Sequence, residues 1–124
     1  MLKIHTRNIG NVSVLCVQGR IVNGETTPLR EAVNAQSTAG TVLLDLARVS
    51  TIDASGLGLM LELRRQSHAN GIRFRLMNVT KLVRRVLEVT QLDSVFEIAN
   101  PQTELLPAIP RVSAHRAMRF ARCA

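Results

Sequence analysis

The sequence predicts one domain of the α/β class, on three observations. Residues 41–46 form a short apolar run of the kind found in strands that are covered on both faces. Apolar residues at helical spacing follow this run, and an alternating segment at residues 72–77 follows the helical pattern. Strands that alternate with helices are typical of layered α/β folds with parallel strands. The 124 residues are enough for one hydrophobic core and too few for two comfortable domains.

The strands are predicted from apolar or β-branched runs and from alternation. They are expected at residues 3–7, 12–17, 41–46, 72–77 and 95–98. The first two form a hairpin, because residues 8–11 read as a turn. Gly19 and Gly24 bracket a loop that has room for a brief strand at residues 20–22.

The helices are predicted from capping residues as well as from spacing. Thr27 is the expected N-cap of the first helix, with Pro28 at its first position and Gly40 as its stop. The second helix is expected from about residue 56 to residue 69, ending at Asn70-Gly71. Thr80 is the expected N-cap of the third helix.

The alternating segment at residues 72–77 predicts a strand with two unlike faces. Ile72, Phe74 and Leu76 share one face, which is expected to be buried. Arg73 and Arg75 share the other face, which we interpret as solvated, the alternative being a specific anion site.

The candidate functional site is the junction between the third predicted strand and the second helix. It has the sequence Asp53-Ala54-Ser55-Gly56-Leu57-Gly58. A helix start exposes unpaired N–H groups and the positive end of the helix dipole, so the Ser55 oxygen is well placed to cap it. A phosphate on Ser55 would add about −1.5 to −2 charges at the end that favours anions. Spacing alone leaves two interpretations open, a plain N-cap and a phosphorylation site, and it favours the cap.

The residues around this junction do not predict an enzyme, a cofactor or a metal site. No histidine lies close to Ser55 in sequence to act as its base, and Gly-x-Ser-x-Gly does not occur. Gly56-Leu57-Gly58 lacks the third glycine of a dinucleotide loop and the lysine of a P-loop. Cys16 and Cys123 form no CxxC pair, and the three histidines are scattered.

The net charge of +7 by itself suggests nucleic acid, but its distribution argues against that partner. Four arginines in the last fourteen residues leave only +3 for the rest of the chain. The three phenylalanines are the only aromatic side chains, which is a poor basis for base stacking. No apolar stretch approaches the roughly 20 residues of a membrane span, and the start lacks a signal-peptide pattern. We therefore expect a cytoplasmic protein that does not bind nucleic acid.

The sequence resembles the STAS domain, and in particular the anti-sigma factor antagonists of bacteria, over about residues 3–100. The Asp-x-Ser-Gly-Leu-Gly turn carries the resemblance together with four further segments. These are residues 41–45, residues 49–53, residues 78–80 with 83–87, and residues 92–96. The resemblance implies a STAS-like α/β fold, a mixed sheet of four to five strands with helices mainly on one face. It implies a core at residues 1–100, followed by a C-terminal segment at residues 101–124.

The resemblance also implies a regulatory switch. The unmodified domain would bind an anti-sigma factor of the serine kinase type, that kinase would phosphorylate Ser55 and abolish the complex, and a phosphatase of the PP2C type would restore it. Asp53 would hold the turn, while Gly56 and Gly58 would keep the approach open for the kinase. Ala54 stands where many members of the family carry another hydroxyl residue, so Ser55 is the one acceptor expected within the turn.

Two further functions fit the same fold, and the C-terminal segment leaves a question open. A STAS subunit of a membrane lipid-transport complex is one alternative, and a sensory or stressosome-like scaffold is the other. Pro107 and Pro110 interrupt the final helix that the family usually supplies, so residues 101–124 are expected to be partly helical at most. Residues 111–124 are either an unstructured basic tail or a contact for an anionic partner or membrane.

Overall fold

The structure is a computed structural model that describes residues 2–36 and 39–99. In this part of the chain, strands and helices alternate after an initial hairpin. The strands there are β1 (Lys3–Ile9), β2 (Val12–Ile21), β3 (Thr41–Ile52), β4 (Arg73–Met77) and β5 (Glu97–Ile98). The helices there are α1 (Thr27–Asn34), α2 (Ala54–Ala69) and α3 (Lys81–Val89). The predicted α/β class and the predicted order of elements are confirmed.

The five strands form one mixed sheet in the order β1-β2-β3-β4-β5. β1 and β2 are antiparallel, and Gly10 makes their tight turn with a φ of 61°. The other neighbouring pairs are parallel, since a helix connects each strand to the next. The mixed sheet of four to five strands that the resemblance implied is therefore present with five strands.

The main hydrophobic core lies between one face of the sheet and the three helices. Leu44 of β3 and Phe74 of β4 contribute from the sheet, and both are almost completely buried. Leu29 of α1, Met60 of α2 and Leu87 of α3 contribute from the helices and are fully buried. All three described helices thus pack on the same face, as expected.

The opposite face of the sheet carries a smaller apolar cluster and the two arginines of β4. The members of this cluster are Val12, Val14, Cys16, Leu43, Met77 and Ala99. Arg73 is exposed as predicted, but only 15% of the Arg75 side chain is accessible. Both guanidinium groups lie near one carboxylate oxygen of Glu97, at 3.5 Å and 3.1 Å. The interpretation of this face as solvated therefore holds for Arg73 and is wrong for Arg75.

β2 and β3 are longer than the sequence predicted. They remain paired up to Ile21 and Ile52, whereas the pairing of β3 with β4 stops at Asp45. Gly19, expected to open a loop, lies inside β2 with a φ of 116° next to a register shift. The two strands therefore extend as an arm beyond the end of β4, and α2 begins at the end of this arm.

The helix ends agree with the predictions at the start of α3 and the end of α2, and differ at the start of α2 and at both ends of α1. Thr80 caps α3, because its hydroxyl oxygen accepts a hydrogen bond of 3.2 Å from the Val83 N–H. α2 ends at Asn70-Gly71 as predicted. The N-cap of α1 is Thr26 instead of Thr27 and forms no side-chain capping bond; Pro28 fits the first turn from either start. α1 ends at Asn34 with Ala35 as its C-cap, before the predicted stop at Gly40.

The predicted boundary between the core and the C-terminal segment falls at the limit of the described residues. The expectations for residues 101–124 fall outside those residues and stay predictions. No helix within residues 2–36 and 39–99 is long and apolar enough to cross a membrane.

Candidate functional site

Asp53 holds the start of α2 in place through both oxygens of its side chain. Its Oδ1 accepts a hydrogen bond of 2.8 Å from the Gly56 N–H, which makes Asp53 the N-cap. Its Oδ2 accepts a hydrogen bond of 3.0 Å from the Asn23 N–H in the loop after β2. One carboxylate therefore ties the first turn of α2 to the neighbouring loop, in agreement with the role expected for Asp53.

Ser55 is not the cap of α2, which corrects the sequence-based interpretation of its oxygen. The helix begins at Ala54, so Ser55 is its second residue and Asp53 occupies the capping position. The Ser55 side chain is exposed, and its hydroxyl forms no hydrogen bond with any described residue. The hydroxyl is thus available at the surface, and it does not hold the turn.

Gly56 and Gly58 have different structural roles. A Cβ atom on Gly56 would collide with the Ile21 backbone, approaching the carbonyl oxygen most closely and the carbonyl carbon to 2.9 Å. A Cβ atom on Gly58 would meet nothing within 4 Å. Gly56 therefore lets α2 pack against β2, and Gly58 leaves an open surface one turn beyond Ser55. Between them, Leu57 turns into the main core and is 7% exposed.

The electrostatics of the site centre on Asp53. The hydrogen bonds from the N–H groups of Asn23 and Gly56 lower the pKa of its carboxyl group below the usual value. Asp53 is therefore negatively charged at neutral pH, next to the positive end of the α2 dipole. Further along the same face, Glu62 of α2 pairs with Arg30 of α1 at 3.3 Å. The ion pair joins two helices on the exposed side of the domain.

The one side-chain hydroxyl in residues 53–58 belongs to Ser55, and it is exposed. Residues 2–36 and 39–99 contain no group of three or more His, Cys, Asp or Glu side chains that could hold a metal ion. The Asp53 carboxylate is engaged by two backbone N–H groups and forms no hydrogen bond with the Ser55 hydroxyl. The Ser55 hydroxyl is therefore exposed beside a carboxylate that is already engaged.

The six predicted site residues are consecutive in the chain, and the structure adds two residues to the site that the sequence analysis missed. Ala54, Ser55 and Gly58 are exposed, whereas Gly56 and Leu57 are buried. Ile21 offers its carbonyl oxygen to the Asp53 N–H at 3.3 Å, and Asn23 donates its N–H to the Asp53 carboxylate. Both new contacts use backbone groups, so no side-chain pattern could have indicated them.

The comparisons with known proteins match this fold. The family model of the STAS domain matches residues 3–104. The structure of an anti-sigma factor antagonist from Mycobacterium paratuberculosis has a TM-score of 0.71 and 21% identity, covering 88% of this chain and 94% of that chain. The structure of a STAS domain protein from Planctomyces limnophilus has a TM-score of 0.69 and 21% identity, covering 85% of this chain and 97% of that chain. The phosphorylated form of the Bacillus cell fate determinant SpoIIAA has a TM-score of 0.61 and 20% identity, covering 84% of this chain and 96% of that chain. At these identities the solved structures establish a shared fold.

Proposed function

This chain belongs to the STAS domain family, and we propose that it is an anti-sigma factor antagonist whose binding is controlled by phosphorylation of Ser55. Its partner is an anti-sigma factor of the serine kinase type, and a PP2C-type phosphatase removes the phosphate. The protein then acts in the cytoplasm by binding and not by catalysis. The observation that carries the proposal is the exposed Ser55 hydroxyl on a turn that Asp53 fixes.

The position of Ser55 supports transfer of a phosphoryl group to it. The hydroxyl oxygen attacks the γ-phosphorus of ATP bound to the kinase, the bond to the β-phosphate oxygen breaks, and ADP leaves. The hydroxyl proton passes to a base on the kinase, since the Asp53 carboxylate is engaged by two backbone N–H groups. A kinase can approach because Ala54, Ser55 and Gly58 form a surface of small exposed residues.

The added charge explains how phosphorylation would release the partner. Asp53 already places one negative charge at the start of α2. A phosphate adds about −1.5 to −2 more within the same turn. Bringing such a charge into an interface without a matching positive group costs several kcal/mol, and each 1.4 kcal/mol lowers affinity about tenfold.

The test uses the purified protein and each serine-kinase-type anti-sigma factor of the source organism. Calorimetry measures binding, and intact-mass and peptide mass spectrometry follow phosphorylation in the presence of ATP and Mg²⁺. We expect one kinase to bind the unmodified protein and to place a single phosphate on Ser55. The phosphorylated protein should bind at least about tenfold more weakly.

Two variants make the assignment specific. Ser55→Ala should bind the kinase and remain unmodified, and Ser50→Ala, which changes another exposed serine, should behave as the wild type. A phosphate on a different residue, or equal affinity of the modified and unmodified proteins, would refute the switch. Stable association with a transporter ATPase, or assembly into large particles, would instead support the lipid-transport or scaffold alternative.

A further inference from the structure

α3 carries a line of apolar side chains along its outer side, and two of the three are exposed. Leu82 is 49% exposed and Val89 is 76% exposed, while Val86 between them is partly buried against the main core. Positions 82, 86 and 89 follow the i, i+4, i+7 spacing that places side chains along one side of a helix. We refer to Leu82, Val86 and Val89 as the α3 stripe. Ile98 is the only other large apolar residue within residues 2–36 and 39–99 with comparable exposure.

The helix that carries the stripe is firmly held by the domain. Val83 and Leu87 are fully buried in the main core, and Thr80 caps the N-terminus. The stripe is therefore presented by a fixed backbone, and a partner would pay little conformational entropy to order it.

Basic residues border the stripe on one side. At about 100° per residue, Arg85 lies roughly 60° around the helix from Leu82, and Lys81 lies one turn before Arg85 on the same border. Arg84 lies about 160° from Leu82 and is well separated from the stripe. Neither Lys81 nor Arg85 forms an ion pair with a described residue. Glu88 is also exposed and lies one turn after Arg85, but at about 120° from Leu82 it is further from the stripe than either basic residue. The exposed surface thus combines an apolar line with the positive charges of Lys81 and Arg85, and Glu88 lies beyond them.

We propose that the α3 stripe, with Lys81 and Arg85, is a docking surface for an acidic amphipathic helix of a protein partner. A helix with apolar residues at three- and four-residue spacing can pack along the stripe, and carboxylates on its flank would meet the two basic side chains. This surface lies on a different helix from Ser55, and the proposal does not depend on the function of that residue.

The composition of the stripe favours a protein helix over a membrane surface. Helices that lie on membranes bury large side chains such as Trp, Phe and Leu over a broad apolar face. α3 has nine residues and carries one leucine and two valines on this side, one of them partly buried, with no aromatic residue. Three aliphatic anchors on one line are sufficient for helix packing, whereas they give a bilayer little to bury.

The test measures binding of labelled synthetic peptides to the full chain by fluorescence anisotropy. The main probe is a helical peptide with leucine at i, i+3, i+4 and i+7 and glutamate on the flank. A matched peptide carries lysine in place of each glutamate, and phosphatidylcholine vesicles containing phosphatidylglycerol test the membrane alternative. We expect binding of the acidic peptide, weaker binding at higher salt, and no binding of the basic peptide or the vesicles.

Variants of α3 decide whether the stripe is the binding surface. The double variant Leu82→Gln and Val89→Gln, and separately Arg85→Glu, should weaken binding about tenfold. Arg84→Glu makes the same change of charge away from the stripe and should leave affinity within about twofold. Thermal unfolding of each variant checks that the domain remains folded.

Several outcomes would overturn the proposal. The first is failure of the acidic peptide to bind the wild type, and the second is equal affinity for the wild type and the double variant. Equal losses in Arg84→Glu and Arg85→Glu would show a response to net charge alone. Binding of the vesicles without the peptide would assign the surface to a membrane.

Discussion

Two glycines in the first turns of α2 provide a matched test of how the site is built. Gly56→Ala and Gly58→Ala introduce the same methyl group into the same helix, two residues apart. At Gly56 the new Cβ collides with the Ile21 backbone of β2, and at Gly58 it enters open space. The two substitutions should therefore change stability in opposite directions.

The expected magnitudes follow from propensity and packing. Alanine is favoured over glycine within a helix by roughly 0.5–1 kcal/mol, so Gly58→Ala should stabilise the domain by about that amount. Gly56→Ala has the same intrinsic gain, but overpacking typically costs about 1–3 kcal/mol and more when backbone must move. Because the obstacle is the Ile21 carbonyl group, which cannot rotate away, we expect the cost to exceed the gain and to leave a net loss of about 1–2 kcal/mol.

Urea titration and thermal unfolding, followed by circular dichroism, measure both variants against the wild type. A difference of about 2 kcal/mol between them corresponds to roughly 8 °C or more in Tm for a domain of this size. Equal stabilities of the two variants would refute the close packing of α2 on β2. A destabilised Gly58→Ala would show that the first turns of α2 are covered by something other than solvent.

Three further changes test the charges and the core. Asp53→Asn keeps one capping oxygen but loses the second acceptor, so the variant should be less stable than the wild type. Because folding lowers the pKa of Asp53, this difference in unfolding free energy should be full well above pH 3.8 and should disappear as the pH falls through the lowered pKa. Urea titrations at several pH values measure it. Asp45 is buried, and burial raises the pKa of its carboxyl group, so ionising it as the pH rises above 3.8 lowers the stability of the wild type. Asp45→Asn does not ionise and can still accept the hydrogen bond from the Ala47 N–H. The unfolding free energy of this variant should therefore rise relative to that of the wild type over the same pH range. Phe74→Ala should lower the free energy of unfolding by about 3–5 kcal/mol. Its neighbour Arg73 is exposed, so Arg73→Ala should change the free energy of unfolding by less than about 1 kcal/mol. Similar losses for both variants would place Phe74 outside the core.

The sequence was sufficient for the order of the elements because the core-facing periodicities are clear. Phe74 and Leu76 alternate as a half-buried strand requires, and both are buried. The lengths of β2 and β3 were harder to predict, since Gly19 and the register shifts beside it interrupt the alternation. The two strands stay paired through these irregularities. Pairing between strands that are distant in sequence depends on the fold, so the sequence pattern of one strand does not show it.

The loop-to-helix junction was located by sequence, but the capping oxygen was assigned to Ser55 and belongs to Asp53. Asp53 and Ser55 are both good N-cap residues, and they lie two positions apart. The start of a helix cannot be fixed to better than a few residues by pattern. The Asn23 N–H decides between them, because its hydrogen bond fixes the Asp53 carboxylate beside the helix start, and a backbone donor from a distant loop leaves no mark in the sequence.

The separation of these two roles has a consequence for the proposed switch. If Ser55 capped α2, its phosphorylation would disturb a bond that holds the turn, and the modification would alter stability as well as binding. Because Asp53 supplies the cap and Ser55 forms no hydrogen bond through its hydroxyl within the described residues, a phosphate would replace no structural contact. The repulsion between that phosphate and Asp53 is opposed by the helix dipole and weakened by solvent. We therefore expect the phosphorylated and unmodified domains to unfold within about 1 kcal/mol of each other while differing at least about tenfold in affinity for the kinase; a large loss of stability on phosphorylation would mean that the switch acts through the fold.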